Sequence, residues 1–279
     1  MTPLPTDAIG RSEQVTDTLD LRQAQLMQLT LDRPATYQAG DPLPPFWHYL
    51  YFNPQIRHSD LGPDGHEQLG RFIPDFGLQR RMWAGGHVSI DAPLRLGETV
   101  DKTSTIRAID EKNGRSGRLC FVTVDHDFSV DGEHRLRETQ NIVYRAAPTV
   151  GSTPPPGKPA PEDAEFSRVV TPDPVFLFRY SALIFYGHRI HYDADYTRDV
   201  EGYPGVVVHG PLIATLLIQL GLEHLGPRAL TSFDIRAMAP LFGDAPFPLE
   251  GRKTPEGATL WARRPDDTIA MTVTLHAAS

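Results

Sequence analysis

One cysteine, Cys120, stands among 279 residues, which excludes an internal disulfide and a cysteine-based zinc site. It sits in the alternating run Cys120-x-Val122-x-Val124-x-His126-x-Phe128 and reads as a small core residue of a strand. No apolar run approaches the roughly 20 residues needed to span a bilayer. The opening MTPLPTDAIGRSEQ lacks both the basic start and the apolar core of a secretory signal. A cytoplasmic protein with no membrane partner is therefore expected. A basic surplus is missing too: 27 Lys and Arg against 35 Asp and Glu leave a formal net charge of −8. With no excess of cations to neutralise phosphates, nucleic acid is excluded as the expected partner in favour of a small molecule.

Proline is plentiful, at 26 residues, and is densest in APTVGSTPPPGKPAPEDAE, residues 147–165. That composition forms neither a helix nor an inner strand and predicts a linker. Before it, the pattern predicts a helix near Ser12 to Leu31, an aromatic segment from Pro45 to Phe52, and strands between Glu98 and Arg145. After it come a short strand near Phe166, a polar loop, an apolar helix, and strands near Ser232 to Ala239, Leu249 to Arg252, Thr259 to Arg263 and Thr268 to His276. The two halves share an order, a helix followed by an antiparallel meander, without an evident sequence repeat.

The chemistry concentrates in FYGHRIHYDADYTRDVEGYPGVVVHGPLIATLL, residues 185–217. Leu212, Leu216 and Leu220 at fourfold spacing, flanked by Ile213 and Leu217 and preceded by Pro211, predict a helix that is apolar nearly all round and hence buried. Its first amides lack intrahelical acceptors and carry partial positive charge, so Gly210 lets a carbonyl oxygen come close to the backbone. Extended backbone over residues 190–193 would put His191 and Asp193 on one face.

These residues resemble the MaoC-type hydratases and dehydratases, whose signature is an acid, a histidine five residues later and an acid two further on. Tyr186, His191 and Asp193 occupy those positions, with Tyr186 where the family usually has aspartate and His188-Arg189 where it has Asn-Pro. The HRIHYD wording, RRMWAGG at Arg80 to Gly86 and Pro93-Leu-Arg-Leu-Gly97-Glu98 resemble a branch holding mesaconyl-CoA and itaconyl-CoA hydratases and mitochondrial-type 3-hydroxyacyl-thioester dehydratases. The resemblance implies an α+β double hot-dog fold, two antiparallel sheets each wrapped around a long helix. Residues 1–146 would form a degenerate unit that shapes the pocket, and residues 166–279 the catalytic unit. It also implies an acyl-CoA thioester substrate with no separate cofactor and no metal, and fold analogy suggests a homodimer.

Water addition to an unsaturated thioester needs a base for water, a proton for the α carbon and a donor for the thioester oxyanion. His191 is the expected base, because an imidazole accepts and releases a proton near neutrality. Its partner stays open between Asp193, as second acid/base or as the group fixing the His191 tautomer, and Tyr186, a weak acid unless a nearby charge shifts it. Gly210 and His209 are expected at the thioester carbonyl, with His209 capping or orienting the helix start. His188 and Arg189 are expected to contact substrate. Arg80, Arg81 and Trp83 would meet coenzyme A phosphates or, equally well, pin the two units together. For a substrate carboxylate, Arg189, Arg179 or Arg57 would serve. A metal held by His188, His191, Asp193 and His209 fits no closed-site spacing. Glu138 reads as a solvated strand residue. The alternatives are a 3-hydroxyacyl-thioester dehydratase of fatty-acid synthesis, a thioesterase, and a noncatalytic acyl-CoA-binding protein.

Overall fold

The computed structural model describes residues 4–78, 80–114, 117–146 and 156–278. In chain order the elements are β1 (Ser12–Thr18), α1 (Leu21–Thr30), β2 (Arg80–Ile90), β3 (Thr99–Gly114), β4 (Gly117–Val130) and β5 (Glu133–Arg145). There follow β6 (Phe166–Val170), α2 (Pro174–Leu183), α3 (Ala194–Asp199), α4 (Gly210–Leu225), β7 (Leu230–Ala237), β8 (Phe247–Thr254), β9 (Gly257–Arg263) and β10 (Ile269–Ala277). The two expected sheets are halves of one ten-stranded sheet, ordered β1-β3-β4-β5-β2-β7-β10-β9-β8-β6. Every strand pair in it is antiparallel, and β2 against β7 is the seam between the halves. Of the predicted linker, residues 147–155 lie outside the described residues, and residues 156–165 run without helix or strand apart from a bridge of Pro159 to Thr268.

The seam explains the glycines of RRMWAGG. The β2–β5 register shifts between Trp83 and Gly85. Gly85 has φ +103°, and a Cβ there would lie 2.1 Å from the Ile235 carbonyl oxygen of β7. A side chain cannot occupy that space, so only glycine lets the two halves share backbone hydrogen bonds here.

α4 is the buried helix the leucine spacing predicted, and every residue from Leu212 to Gly221 is buried. It lies across β8, β9 and β10. The helix meets the sheet closely at Gly221, where a Cβ would be 2.4 Å from Leu275 Cδ1 and 2.9 Å from Leu260 Cδ1. Pro211 holds the second helical position, one later than predicted, because Gly210 already opens the helix.

The first half differs from expectation. Residues 12–31 are not one helix: Ser12–Thr18 forms an edge strand on β3, and α1 starts only after Asp20, whose carboxylate accepts the Gln23 amide at 3.1 Å. The β-branched Val15, Thr16 and Thr18 favour that strand, and the Asp20 cap sets the true helix start. α1 packs on α2 and on a 3-10 turn, Trp47–Leu50. Phe46, Trp47 and Leu50 fill the core beneath. Glu138 is corrected as well. The parity of β5 turns it inward with Leu136, Ile142 and Tyr144, and it is 4% exposed, accepting from Tyr49 Oη at 2.6 Å and pairing with His48 Nε2 at 3.0 Å. Cys120 is buried in the β4 core, as its alternating context predicts.

Replacing Gly221 by Leu forces a side chain into a helix–sheet contact with no room for it. The variant is expected to lose about 1–3 kcal/mol of stability, read as a lowered urea midpoint with an unchanged slope. A wild-type midpoint would contradict the packing described.

Candidate active site

The loop from Tyr186 to Asp193 follows α2 and is not extended. Arg189–His191 forms a 3-10 turn, so His191 and Asp193 do not share a strand face. Asp193 is instead the N-cap of α3, accepting the Tyr196 amide at 2.9 Å and pairing with Arg189 at 2.7 Å. The Tyr196 N–H and then the Arg189 guanidinium hold its carboxyl below the usual carboxylate range. Asp193 is thus committed to building the turn, and Arg189, which also lies 3.9 Å over the Tyr196 ring, is committed with it. Both side chains are engaged within the turn.

His191 is buried, and its Nδ1 lies 2.7 Å from the Val207 carbonyl oxygen. A carbonyl only accepts, so Nδ1 carries the proton and Nε2 presents a lone pair. Burial pulls the imidazole down to about 4, against the stabilising bond to Val207. The ring stacks on His209 with centroids 3.7 Å apart, and His209 Nε2 pairs with Ser181 Oγ at 2.8 Å. His209 makes no capping hydrogen bond to the helix. The expected side-chain cap is therefore absent, and the ring lies stacked on His191.

Gly210 is the first residue of α4, and Ile213 is the first amide in that helix to find an intrahelical acceptor, the His209 carbonyl at 3.1 Å. The Gly210 amide is thus one of the free donors at the positive end of the helix. Trp83 of β2 lies against it, and a Cβ on Gly210 would sit 2.9 Å from Trp83 Cε3. Strand alternation then turns Arg81, two residues back, to the same side as Trp83. Its charge bears on Tyr186, His66 and His188. Arg80 faces the other way, paired with Glu201 at 3.2 Å and lying over the Tyr203 ring. It ties the loop after α3 to the first half, the structural alternative that the sequence offered for it.

Two residues of the site escaped the sequence reading. The turn Gly62-Pro63-Asp64-Gly65 ends in His66, whose Nδ1 lies 3.0 Å from Asp64 Oδ2 and whose Nε2 hydrogen-bonds the Tyr186 hydroxyl. His66 also stacks on His188 with centroids 3.8 Å apart. Burial lowers His66 against the opposing pull of Asp64. Burial alone would raise the Asp64 carboxyl, yet the hydrogen bonds from His66 hold it down, near about 2. The Pro-Asp-Gly turn is readable in sequence, but its contact with residue 186 spans 120 positions. Asp64, His66 and His188 each bring a ligand atom within 4.8 Å of the others. Both His66 nitrogens are engaged, one by Asp64 and one by Tyr186, while His188 only stacks on the ring.

The model for hydroxyacyl-thioester dehydratase type 2 matches residues 46–243. The chain belongs to that family. It is 44% identical over 269 residues to mesaconyl-C(4)-CoA hydratase of Chloroflexus aurantiacus, covering 96% of each chain. It is 27% identical to the mitochondrial hydroxyacyl-thioester dehydratase type 2 of Schizosaccharomyces pombe, covering 74% of this chain and 76% of that one. Among solved structures, a MaoC-like dehydratase from Phytophthora capsici superposes with TM-score 0.69 at 14% identity, covering 98% of both chains. A Mycobacterium tuberculosis protein described as having a double hotdog fold superposes with TM-score 0.58 at 12% identity, covering 96% of both. The fold of this family member is therefore the double hot dog.

With His191 neutral down to about pH 4, its Nε2 stays an acceptor well below the ordinary imidazole range. The sign follows: lowering pH removes the acceptor only on approaching the depressed value, so kcat/KM for this family member should stay level from pH 8 to about 5.5. An acid limb centred near about 6.5 would contradict the neutral, buried imidazole.

Proposed function

We propose that this hydro-lyase adds water to, or removes it from, a short, branched and carboxylated enoyl-CoA thioester of the mesaconyl type. The observation that carries the chemistry is the pairing of a bare imidazole nitrogen, His191 Nε2, with the Tyr186 hydroxyl, their rings 5.7 Å apart, beside the open end of α4. The observation that carries the substrate class is the 44% identity to a mesaconyl-C(4)-CoA hydratase over nearly the whole chain.

In this reading the thioester oxygen accepts the Gly210 N–H. As charge moves onto that oxygen in the transition state the bond strengthens, and a single donor of this kind is worth on the order of 3 kcal/mol. Water lies between His191 Nε2 and the Tyr186 oxygen, donating to both, which turns a lone pair toward the β carbon. Its proton is taken at this pair and delivered to the α carbon. Because both protein groups are uncharged at rest, one arrangement runs hydration and dehydration. For the free carboxylate, Arg189 is paired with Asp193 and Arg57 with Asp60, and Arg179 is exposed on α2, whereas the hydrogen-bond partners of Arg81 among the described residues are the neutral Tyr144 and Tyr186. Arg81, on the Trp83 side of β2, is the guanidinium assigned to it. The runner-up, a 3-hydroxyacyl-thioester dehydratase of fatty-acid synthesis, draws support from the family description and the 27% identical yeast relative. Coenzyme A enters as part of the substrate.

The test is loss of enoyl-thioester absorbance with crotonyl-, mesaconyl- and itaconyl-CoA, for the wild type and for His191→Ala. Turnover of mesaconyl-CoA in preference to crotonyl-CoA, reduced about 10² to 10⁴-fold in kcat by the substitution, is expected. A folded His191→Ala protein with wild-type turnover sinks the assignment of His191, and a wild type that turns over no member sinks the substrate class.

A further inference from the structure

We infer that Asp64 and His66, carried by a loop of the first half, are positioning residues that form a proton relay to Tyr186 and make its phenol oxygen the group that receives the proton of water. The inference rests on the hydro-lyase reading above and names how the same site moves its proton.

The geometry fixes the direction of each hydrogen bond. The Asp64 carboxylate accepts only, so His66 Nδ1 carries a hydrogen toward Oδ2, 3.0 Å away. In the neutral ring, Nε2 is then an acceptor, and the Tyr186 O–H must donate to it. The Tyr186 O–H is thus directed at His66, and the phenol oxygen, which accepts from Arg81, keeps one lone pair for a further donor such as water. This is the order found in a nucleophile–histidine–acid triad, with a phenol in the first place.

The loop is held so that the chain cannot drift. The Arg189 amide donates to the Asp64 carbonyl at 2.8 Å, and Arg189 Nη1 reaches the Pro63 carbonyl at 3.2 Å. Gly65, at φ +83°, lies so near the second half that a Cβ would be 2.0 Å from the Gly187 carbonyl oxygen. The amide of His66 donates to Asp64 Oδ1 at 3.1 Å, which closes the turn. A buried histidine that merely filled space would need none of this alignment.

The relay balances without an outside proton. As the water oxygen bonds to the β carbon, the α–β π pair moves toward the thioester, whose oxygen becomes an enolate oxyanion at the Gly210 amide. The water O–H breaks, its proton goes to the Tyr186 oxygen, and the Tyr186 proton passes to His66 Nε2, giving an imidazolium held by the Asp64 carboxylate. When the thioester carbonyl re-forms, the α carbon takes the proton from Tyr186, and Tyr186 recovers its own from His66. The enzyme ends as it began, and elimination is the same sequence reversed.

The experiment uses the full chain with the substrate the wild type turns over, and compares His66→Gln, Tyr186→Phe and the double variant. His66→Gln should lower kcat about 10² to 10³-fold with KM within about threefold. In the Tyr186→Phe background it should cost nothing further, since the two act as a unit. The solvent-isotope dependence of kcat should be curved in the wild type, from two protons in motion, and linear in His66→Gln. Asp64→Asn keeps the carbonyl that holds Arg189 and an oxygen for the His66 amide, and should show the same pattern if His66→Gln fails to fold. Near-wild-type kcat in a folded His66→Gln or Asp64→Asn protein overturns the relay, as does an equal loss in the Tyr186→Phe background, which would mark a merely structural residue. If instead Tyr186→Phe and His191→Ala both keep full activity, the hydro-lyase reading of the site is what has failed.

Discussion

At the point where the Arg189 amide donates to the Asp64 carbonyl at 2.8 Å, the backbones of residues 65 and 187 are too close for any side chain between them. The site exists because of that approach. It brings the turn of the first half under the loop of the second, sets His66 against Tyr186 and His188, and leaves Asp193 and Arg189 to hold the loop in shape. The β2–β7 seam, with its own glycine at Gly85, supplies the frame, since the same strand places Trp83 at Gly210. Two glycine contacts, one between loops and one between strands, thus determine where the reactive groups meet.

The assembled groups form a column of imidazoles. His66 stacks on His188, His188 lies 5.4 Å from His191, and His191 stacks on His209. Burial lowers each of the four, and charge on a neighbouring ring lowers His188 and His209 further. One proton anywhere in the column makes a second more costly. The Asp64 carboxylate at one end is the only acid paired with the column among the described residues. A single transient imidazolium is therefore best accommodated at His66, next to Tyr186, which is where the relay needs it.

The sequence showed some of this and concealed the rest for identifiable reasons. Leucine spacing fixed α4, and Gly210 and Pro211 marked its start within one residue, because a buried helix carries its signal locally. His191 was legible from its motif. Its partner stayed open between Asp193 and Tyr186, because the 3-10 turn and the α3 cap that occupy the Asp193 carboxylate leave no mark in the local spacing. His66 and Asp64 sit in a turn whose form is readable but whose partner is 120 residues away. Residues 12–31 were misread as a helix because a short edge strand and a capped helix adjoin without a loop, and the Asp20 cap was the overlooked boundary. Glu138 was misjudged by its charge, when β5 parity already placed it with Leu136 and Ile142.

The claim at the centre is that His191 and His66 both stand in the neutral form with hydrogen on Nδ1 and a bare Nε2, one facing water and the other holding the Tyr186 proton. Long-range proton–nitrogen NMR correlation on ring-labelled histidines, assigned by His191→Gln and His66→Gln, reads the tautomer of each directly. At pH 7 the account predicts a protonated Nδ1 and an unprotonated Nε2 for both rings. An imidazolium, or hydrogen on Nε2 with a bare Nδ1, at either residue would contradict it.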